Sequence, residues 1–287
     1  MFKLMKDLFG GDVMEHGFVC PVCRALMRQE EKRFVCPAGH MFDRASSGYV
    51  NLAMDQSSSA KRHGDDKRMI RARGEFLSGG AYRCLSDALV DMSASLLADG
   101  EAFLDAGCGE GHYTALLAQK LRAEGKSCTL MGVDVSKEAL TAAAKRKENI
   151  LLAVASVFHM PVADESVSLL WNVFAPIAPE EYARVLRRGG HLVRVFPLEE
   201  HLMGLKEEIY DTVYPNRPQE PEIEGLEKLT THYLRESLTL NTSEEIAALF
   251  SMTPYYYKTS AADQEKVSKL QTLTTPIAFG ISVYRKK

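Results

Sequence analysis

The spacing of apolar residues changes period several times along the chain, and those changes mark out the elements. From Glu101 onward, short apolar runs alternate with stretches in which apolar positions recur at three- and four-residue intervals. Runs at 103–106, 129–133, 150–155, 167–173 and 190–196 predict strands, and all but the third are followed by a helical stretch, at 113–122, 137–147, 179–186 and 199–210. Strands followed by crossover helices predict a mostly parallel sheet covered on both faces. The class is therefore α/β. Further on, 234–240 and 277–285 read as a terminal pair of strands around a helix at 243–252, while Pro215, Pro218 and Pro221 mark a loop. Upstream, Met69, Ala72, Phe76 and Leu77 share one helical face, the pattern breaks at Gly79 and Gly80, and Leu85, Ala88, Leu89 and Met92 resume it.

The point of interest in this alternation is F-L-D-A-G-C-G-E-G-H-Y-T from Phe103 to Thr114. It reads as strand, tight turn, helix, in a Rossmann-like arrangement. Gly107, Gly109 and Gly111 alternate where a ligand has to approach the main chain. A second strand closes on Asp134, 23 positions after Gly111. An acid at that distance is placed to accept hydrogen bonds from ribose hydroxyls. Asp105 and Glu110 put carboxylates into the turn itself, which disfavours a pyrophosphate and favours the cationic sulfonium and amino group of S-adenosylmethionine (SAM). Because ligands of such sheets sit at the carboxyl ends of the strands, Asp105, Asp134, Ser156 and Asn172 are expected to converge on one crevice. Asn172 could bond a base edge there and Phe174 could stack on the base. His201 is a further candidate pocket residue.

The N-terminal part carries different chemistry. Cys20 and Cys23 are followed, after twelve intervening residues, by Cys36 and His40, giving C-x2-C-x12-C-x3-H. Two short-spaced pairs separated by a hairpin's length supply the four N/S ligands of tetrahedral zinc, and a closed Cys3His set makes that zinc structural. His16 is the alternative fourth ligand. The chain divides on this reading into a zinc-binding module at 1–55, a basic linker with helices at 56–98, and the sheet domain at 99–287.

Composition adds two exclusions and one asymmetry. No apolar run approaches the roughly 20 residues that cross a bilayer, and the first residues lack a signal peptide's apolar segment, so a cytoplasmic protein without membrane attachment is expected. The net charge is −3, yet residues 1–80 hold 13 Lys and Arg against 10 Asp and Glu. Lys61, Arg62, His63, Lys67, Arg68, Arg71 and Arg73 crowd into thirteen residues opposed by Asp65 and Asp66. This is either a phosphate-binding strip or the solvated face of a helix.

D-A-G-C-G-E-G-H-Y-T and V-D-V-S resemble the first two motifs of class I SAM-dependent methyltransferases. Together with the zinc module, F-D-x-A-x-x-G-Y-V-N-L after it, Gly80, Tyr82 and H-L-M-x-L-K from His201, nearly the whole chain resembles the bacterial 23S ribosomal RNA (guanine-N1)-methyltransferases of the RlmA type. The resemblance implies methylation of N1 of a guanine in a 23S rRNA hairpin loop, with some members conferring resistance to tylosin-class macrolides. It also implies zinc on Cys20, Cys23, Cys36 and His40, and SAM contacts from Tyr82, Gly109, Glu110 and His201. N-V-F-A-P at Asn172 is nearer to the resistance-associated branch. One departure is Arg188, where the family's L-R-P-G-G has proline.

Transfer to guanine N1 requires that its proton leave, so a base is needed; Asp65, Asp66 and His201 are the candidates, with Asn172 facing the acceptor. The rival reading is a small-molecule methyltransferase in which the zinc module serves as a lid. Whether two chains pair into a homodimer is left open at this level.

Overall fold

The structure is a computed structural model; it describes residues 16–54 and 67–287. Three short strands, β1 (Arg28–Gln29), β2 (Arg33–Val35) and β3 (Met41–Asp43), form an antiparallel sheet in the N-terminal module. The strands that follow are β4 (Val50–Asn51), β5 (Ala102–Ala106), β6 (Thr129–Asp134), β7 (Ile150–Val154), β8 (Val167–Val173), β9 (Leu186–Pro197), β10 (Leu226–Leu240) and β11 (Leu273–Lys286). They build one sheet in the order β10-β11-β9-β8-β5-β6-β7-β4. From β9 through β4 every neighbour is parallel, and β11 and β10 return antiparallel. The α/β class and the terminal strand pair agree with the sequence pattern.

The described helices are α1 (Lys67–Ser78), α2 (Arg83–Leu96), α3 (His112–Ala123), α4 (Lys137–Lys145), α5 (Pro179–Val185), α6 (Met203–Ile209), α7 (Ser243–Ser251), α8 (Tyr255–Lys258) and α9 (Ala261–Ser268). Every residue of β5 is buried, as a parallel strand covered on both faces requires. On one face Phe103 meets Trp171 edge-on at 4.8 Å, and the Trp171 indole donates to Ser93 on α2, 2.8 Å away. Local signals set the helix starts: Ser136 caps α4 by accepting from the Ala139 amide, and Thr242 with Glu245 forms a reciprocal capping box on α7.

Besides the earlier starts of β9 and β10, at Leu186 and Leu226 against the expected 190 and 234, three features differ from the pattern. The helix expected over 199–210 begins only at Met203, because residues 200–202 form a turn in which Leu202 adopts φ 59°. His201 therefore sits in that turn and not inside the helix. The short α8 and α9 carry little apolar periodicity; only Val267 of α9 is buried, so nothing in the spacing announced them. The third difference concerns the N-terminal module. β4 adds to the sheet edge alongside β7, with Val50 opposite Ala153, and the Leu52 amide donates to the Val154 carbonyl at 3.0 Å. Phe18 bridges to Val162, and Phe18, Met27 and Phe34 share one apolar cluster with Leu104, Met131 and Leu170. A module too small for its own core thus borrows the core of the sheet.

Among the described residues no helix is long and apolar enough to cross a membrane.

The turn that carries His201 is fixed by how tightly α6 lies on β11. A Cβ at Gly204 would come 2.5 Å from the Thr274 carbonyl oxygen and 3.1 Å from the Thr275 Cα, both backbone atoms. Gly204→Ala is expected to cost about 1–3 kcal/mol, the usual penalty of overpacking, read as a lower denaturant midpoint with an unchanged slope.

Candidate functional site

A cleft of about 1580 Å³ opens at the carboxyl ends of β5 to β8. Its floor is the turn after β5. There the Gly107 and Cys108 amides both donate to the Val133 carbonyl, at 2.9 and 3.0 Å, and the Gly109 amide donates to Asp134 Oδ2 at 2.9 Å. Gly107 has φ 90°, and a Cβ on it would lie 2.5 Å from the Cβ of Ala175. Asp105, Gly107, Gly109, Glu110, Asp134 and Ser156 all line this space, as do Tyr82 and His201 from outside the turn. Gly111 does not; a Cβ there would meet Ala143 at 3.0 Å, so its role is to seat α3 against α4. Pro21, Arg24 and the 52–54 segment line the same cleft from the N-terminal module.

The three acids of the floor differ in character. Asp105 is buried, its Oδ2 accepts from the Thr114 hydroxyl, and its Oδ1 has no partner among the described residues. Burial pushes its pKa up to about 7; the Thr114 hydroxyl opposes the shift and the nearby Asp134 adds to it. Glu110 is also buried but is paired with Arg146, whose Nε donates to Glu110 Oε2 at 3.0 Å and to the Glu110 carbonyl at 2.8 Å. Its charge is compensated, so the electrostatic case for a cationic ligand rests on Asp105 and Asp134. Asp134 Oδ1 accepts from the Ser136 amide at 2.8 Å, which leaves the carboxylate oriented at the strand end.

Tyr82 and His201 meet in the wall. The Tyr82 hydroxyl is 3.4 Å from His201 Nε2, and both rings pack on Phe279. His201 Nδ1 accepts from the Ala278 amide at 3.2 Å, so the neutral ring carries its proton on Nε2. Burial, aided by the Lys206 ammonium, pushes its pKa down to about 3. At neutral pH the ring is an uncharged donor with its acceptor nitrogen already used, which argues against His201 as the base. The His201 turn is in turn held by Asn216, whose Nδ2 donates to the His201 carbonyl at 2.8 Å and whose Oδ1 accepts from Lys206 at 2.7 Å.

Asn172 corrects a second expectation. It is buried outside the cleft lining, and its Nδ2 donates to the carbonyls of Ala175 and Pro176, both at 3.1 Å, with Tyr182 Oη 2.9 Å away. It shapes the loop after β8 and does not line the cleft. That loop instead presents Phe174, 45% exposed at the cleft and at φ 55°, a left-handed conformation that an aromatic residue seldom adopts. Asp65 and Asp66, together with Lys61, Arg62 and His63, lie outside the described residues. The basic strip separates on α1: Arg71 points outward and pairs with Glu75 at 2.8 Å, Arg68 stacks on Tyr256, and Arg73 lines the cleft near Gly109.

In the module, the four ligand atoms of Cys20, Cys23, Cys36 and His40 all lie within 4.8 Å of one another. Cys23 Sγ is 3.6 Å from Cys36 Sγ, and His40 Nδ1 is 3.6 and 3.3 Å from the sulfurs of Cys20 and Cys36. A tetrahedron with Zn–S near 2.3 Å has edges of about 3.8 Å, so these spacings fit zinc. His16 is not in the group. Each pair is shaped by a knuckle bond, Arg24 N to Cys20 O at 2.8 Å and Gly39 N to Cys36 O at 2.9 Å.

Comparison with known proteins agrees with both halves. Residues 18–58 match the family model described as RlmA, N-terminal, and residues 97–213 match a methyltransferase domain. A Micromonospora griseorubida protein, provisionally named 23S rRNA (guanine-N(1)-)-methyltransferase, is 33% identical over 95% of this chain and 96% of its own length. The chain belongs to the RlmA family of rRNA (guanine-N1)-methyltransferases. A 23S rRNA (guanine(748)-N(1))-methyltransferase from Streptomyces fradiae is 35% identical over 65% of each chain. A Bacillus subtilis relative with a similar provisional name is 29% identical over 89% of this chain and 91% of its own.

As an RlmA-family member the protein is a SAM-dependent methyltransferase with a zinc-binding module, and its donor sets fit both groups. The unpartnered Asp105 Oδ1 and Glu110 Oε1 border the glycine turn, where a cationic nucleoside would find acceptors. Sequence reading missed Arg146, Asn216 and Phe279; they act through Glu110, His201 and again His201, which lie 36, 15 and 78 positions away, and no local spacing signals such a contact.

Cys23 is the exposed ligand of the four, so replacing it opens no cavity in the core. Cys23→Ser is expected to lose most of the one zinc per chain, since closed thiolate sites bind with about 10–16 kcal/mol of apparent free energy, and to lower the unfolding temperature. Elemental analysis checks it; wild-type protein purified without chelator and lacking zinc would contradict the site.

Proposed function

We propose that this RlmA-family enzyme methylates N1 of an unpaired guanine in a hairpin loop of 23S rRNA, in the cytoplasm. The observation that carries the reading is that one cleft is walled by the glycine turn on one side and by the zinc module on the other. A module that only stabilised the fold would have no need to present Arg24 and Pro21 to the reacting space. Guanine 748, the position in the Streptomyces fradiae relative's name, is the first to examine. Resistance to tylosin-class macrolides is the phenotype that such a methyl group would confer. Pairing of two chains to grip the RNA belongs to the same proposal.

SAM, when bound, supplies a methyl group already activated by positive sulfur. The chain's contribution is position and a desolvated path. Gly107 and Gly109 would let the ligand approach the backbone, Asp134 would take the ribose hydroxyls, and Asp105, Tyr82 and His201 the amino-acid end, all of them lining the one cleft. Ser156 lies at the next strand end, towards the base. Phe174, at the cleft and half-exposed, offers a face on which a guanine taken out of its stack can rest. Arg73 brings positive charge beside the turn, where it favours negative charge developing on guanine O6 as N1 loses its proton. With His201 held as a donor, Asp65 and Asp66 are the remaining candidates for the base.

The direct test is mass mapping of 23S rRNA from cells with and without the gene. A methylated guanine that disappears with the gene is expected; an unchanged rRNA would instead support a small-molecule acceptor.

Asp105 gives a pH signature. Its carboxyl is half protonated near pH 7 in the empty cleft, and a bound ammonium favours the ionised form, so binding lowers its pKa. Affinity for SAM should therefore rise as pH increases from 5.5 to 7, by at most about tenfold per unit, and then level off. His112 and His201, with pKa values pushed down to about 4 and about 3, are neutral throughout that window. Asp105→Asn should flatten the profile in calorimetry; a wild-type affinity independent of pH would remove Asp105 from the contact.

A further inference from the structure

A second hollow, of about 190 Å³, opens beside the main cleft. Phe174, Ala175 and Pro197 line both, so the two spaces are contiguous. Its charged lining is Arg194 and Arg217. Arg194 projects from β9, between Asn172 of β8 and Ser282 of β11 in register, and is only 5% exposed. One guanidinium nitrogen, Nη1, donates to the Gln219 carbonyl, and the group lies over the Phe196 ring at 4.9 Å. Its Nε is buried without a hydrogen-bond partner.

What makes this unusual is the missing counter-ion. A guanidinium stays protonated in a protein and is expensive to bury unpaired. Among the described residues no carboxylate pairs with Arg194 or Arg217. The titratable groups that face Arg194 are the hydroxyls of Tyr182 and Tyr284. Both are neutral and engaged elsewhere, Tyr182 with the Pro176 carbonyl at 2.9 Å and Tyr284 with the Pro221 carbonyl at 3.2 Å. Arg217 is exposed next to it, so the hollow concentrates positive charge at a place open to solvent on one side.

We propose that this hollow is a phosphodiester subsite that takes a backbone phosphate of the RNA strand, next to the nucleotide whose base rests on Phe174. Arg194 supplies a pre-oriented fork and the exposed Arg217 a second one, the pairing that suits a phosphate's several oxygens. The role is positional: phosphate contacts fix the register of the strand, while the cleft decides which base reacts. The proposal rests on the rRNA reading above. Its rival is that Arg194 merely straps the 215–221 loop to the sheet through Gln219.

The test measures binding of 23S rRNA at several salt concentrations for wild type, Arg217→Ala and Arg194→Gln, with SAM affinity as the check that each variant is folded. Arg217→Ala is expected to weaken RNA binding about three- to tenfold and to reduce the slope of log affinity against log salt by about 0.7, one phosphate's share for single strands, with SAM affinity unchanged. In a synthetic hairpin carrying the mapped guanine, phosphates near it are then replaced one at a time by neutral methylphosphonate. One position should weaken wild-type binding about tenfold and have no further effect in the arginine variants, a loss of coupling that a purely structural strap would not produce. Should Arg194→Gln fail to fold, Arg217→Ala carries both measurements. Wild-type salt slopes in the variants, with no methylphosphonate effect that depends on either arginine, would overturn the subsite alone. Wild-type protein with no salt-sensitive RNA affinity would overturn the rRNA reading and the subsite with it.

Discussion

At Gly107 the chain leaves β5 so close to the loop after β8 that a Cβ would stand 2.5 Å from that of Ala175. The backbone there is at φ 90°, and the successive amides of Gly107 and Cys108 converge on one carbonyl, that of Val133. This close approach couples the two walls of the cleft. The glycine-turn floor and the loop that presents Phe174 cannot move independently, because the first has no space to give. Asn172 enforces the same arrangement from below by gathering the carbonyls of Ala175 and Pro176. The left-handed strain at Phe174 is thus sustained by bonds made around its own loop, and the residue is left half-exposed at the cleft.

The zinc module depends on a related economy of space. Its three short strands cannot enclose a core, so it uses a metal tetrahedron on one side and the sheet on the other. β4 takes the free edge of β7, which both satisfies an exposed strand edge and fixes the direction in which the module faces. As a result Arg24 serves two elements: it donates to the Val162 carbonyl at 3.1 Å and lines the cleft. Metal, edge strand and cleft wall form one continuous construction.

Buried charge is distributed with a consistent logic around this space. Glu110 has Arg146, and Lys206 has Asn216 and the Tyr214 carbonyl. Asp105 and Arg194 have no ion-pair partner among the described residues, and each keeps a buried polar atom unbonded, an oxygen in the first and a nitrogen in the second. They border the main cleft and the adjoining hollow respectively. Opposite charges held ready in neighbouring spaces suit a cationic nucleoside and an anionic strand that must be brought together.

Sequence alone determined what depends on local order. The period of apolar positions gave the parallel α/β core, because a strand buried on both faces has to be apolar throughout, and β8 began and ended where its run of seven did. The four zinc ligands were legible because two knuckles are each a matter of a few adjacent residues, and the glycine turn because positive φ selects a residue type. Tertiary structure alone decided the rest. That β4 joins the sheet, that Arg71 and Arg73 serve different faces, that Asn172 spends its amide on its own loop, and that His201 is locked as a donor by Ala278 all follow from groups distant in the chain. Burial and hydrogen-bond partners are properties of the packed whole, and a side chain's protonation and aim are set by them, not by its neighbours in sequence.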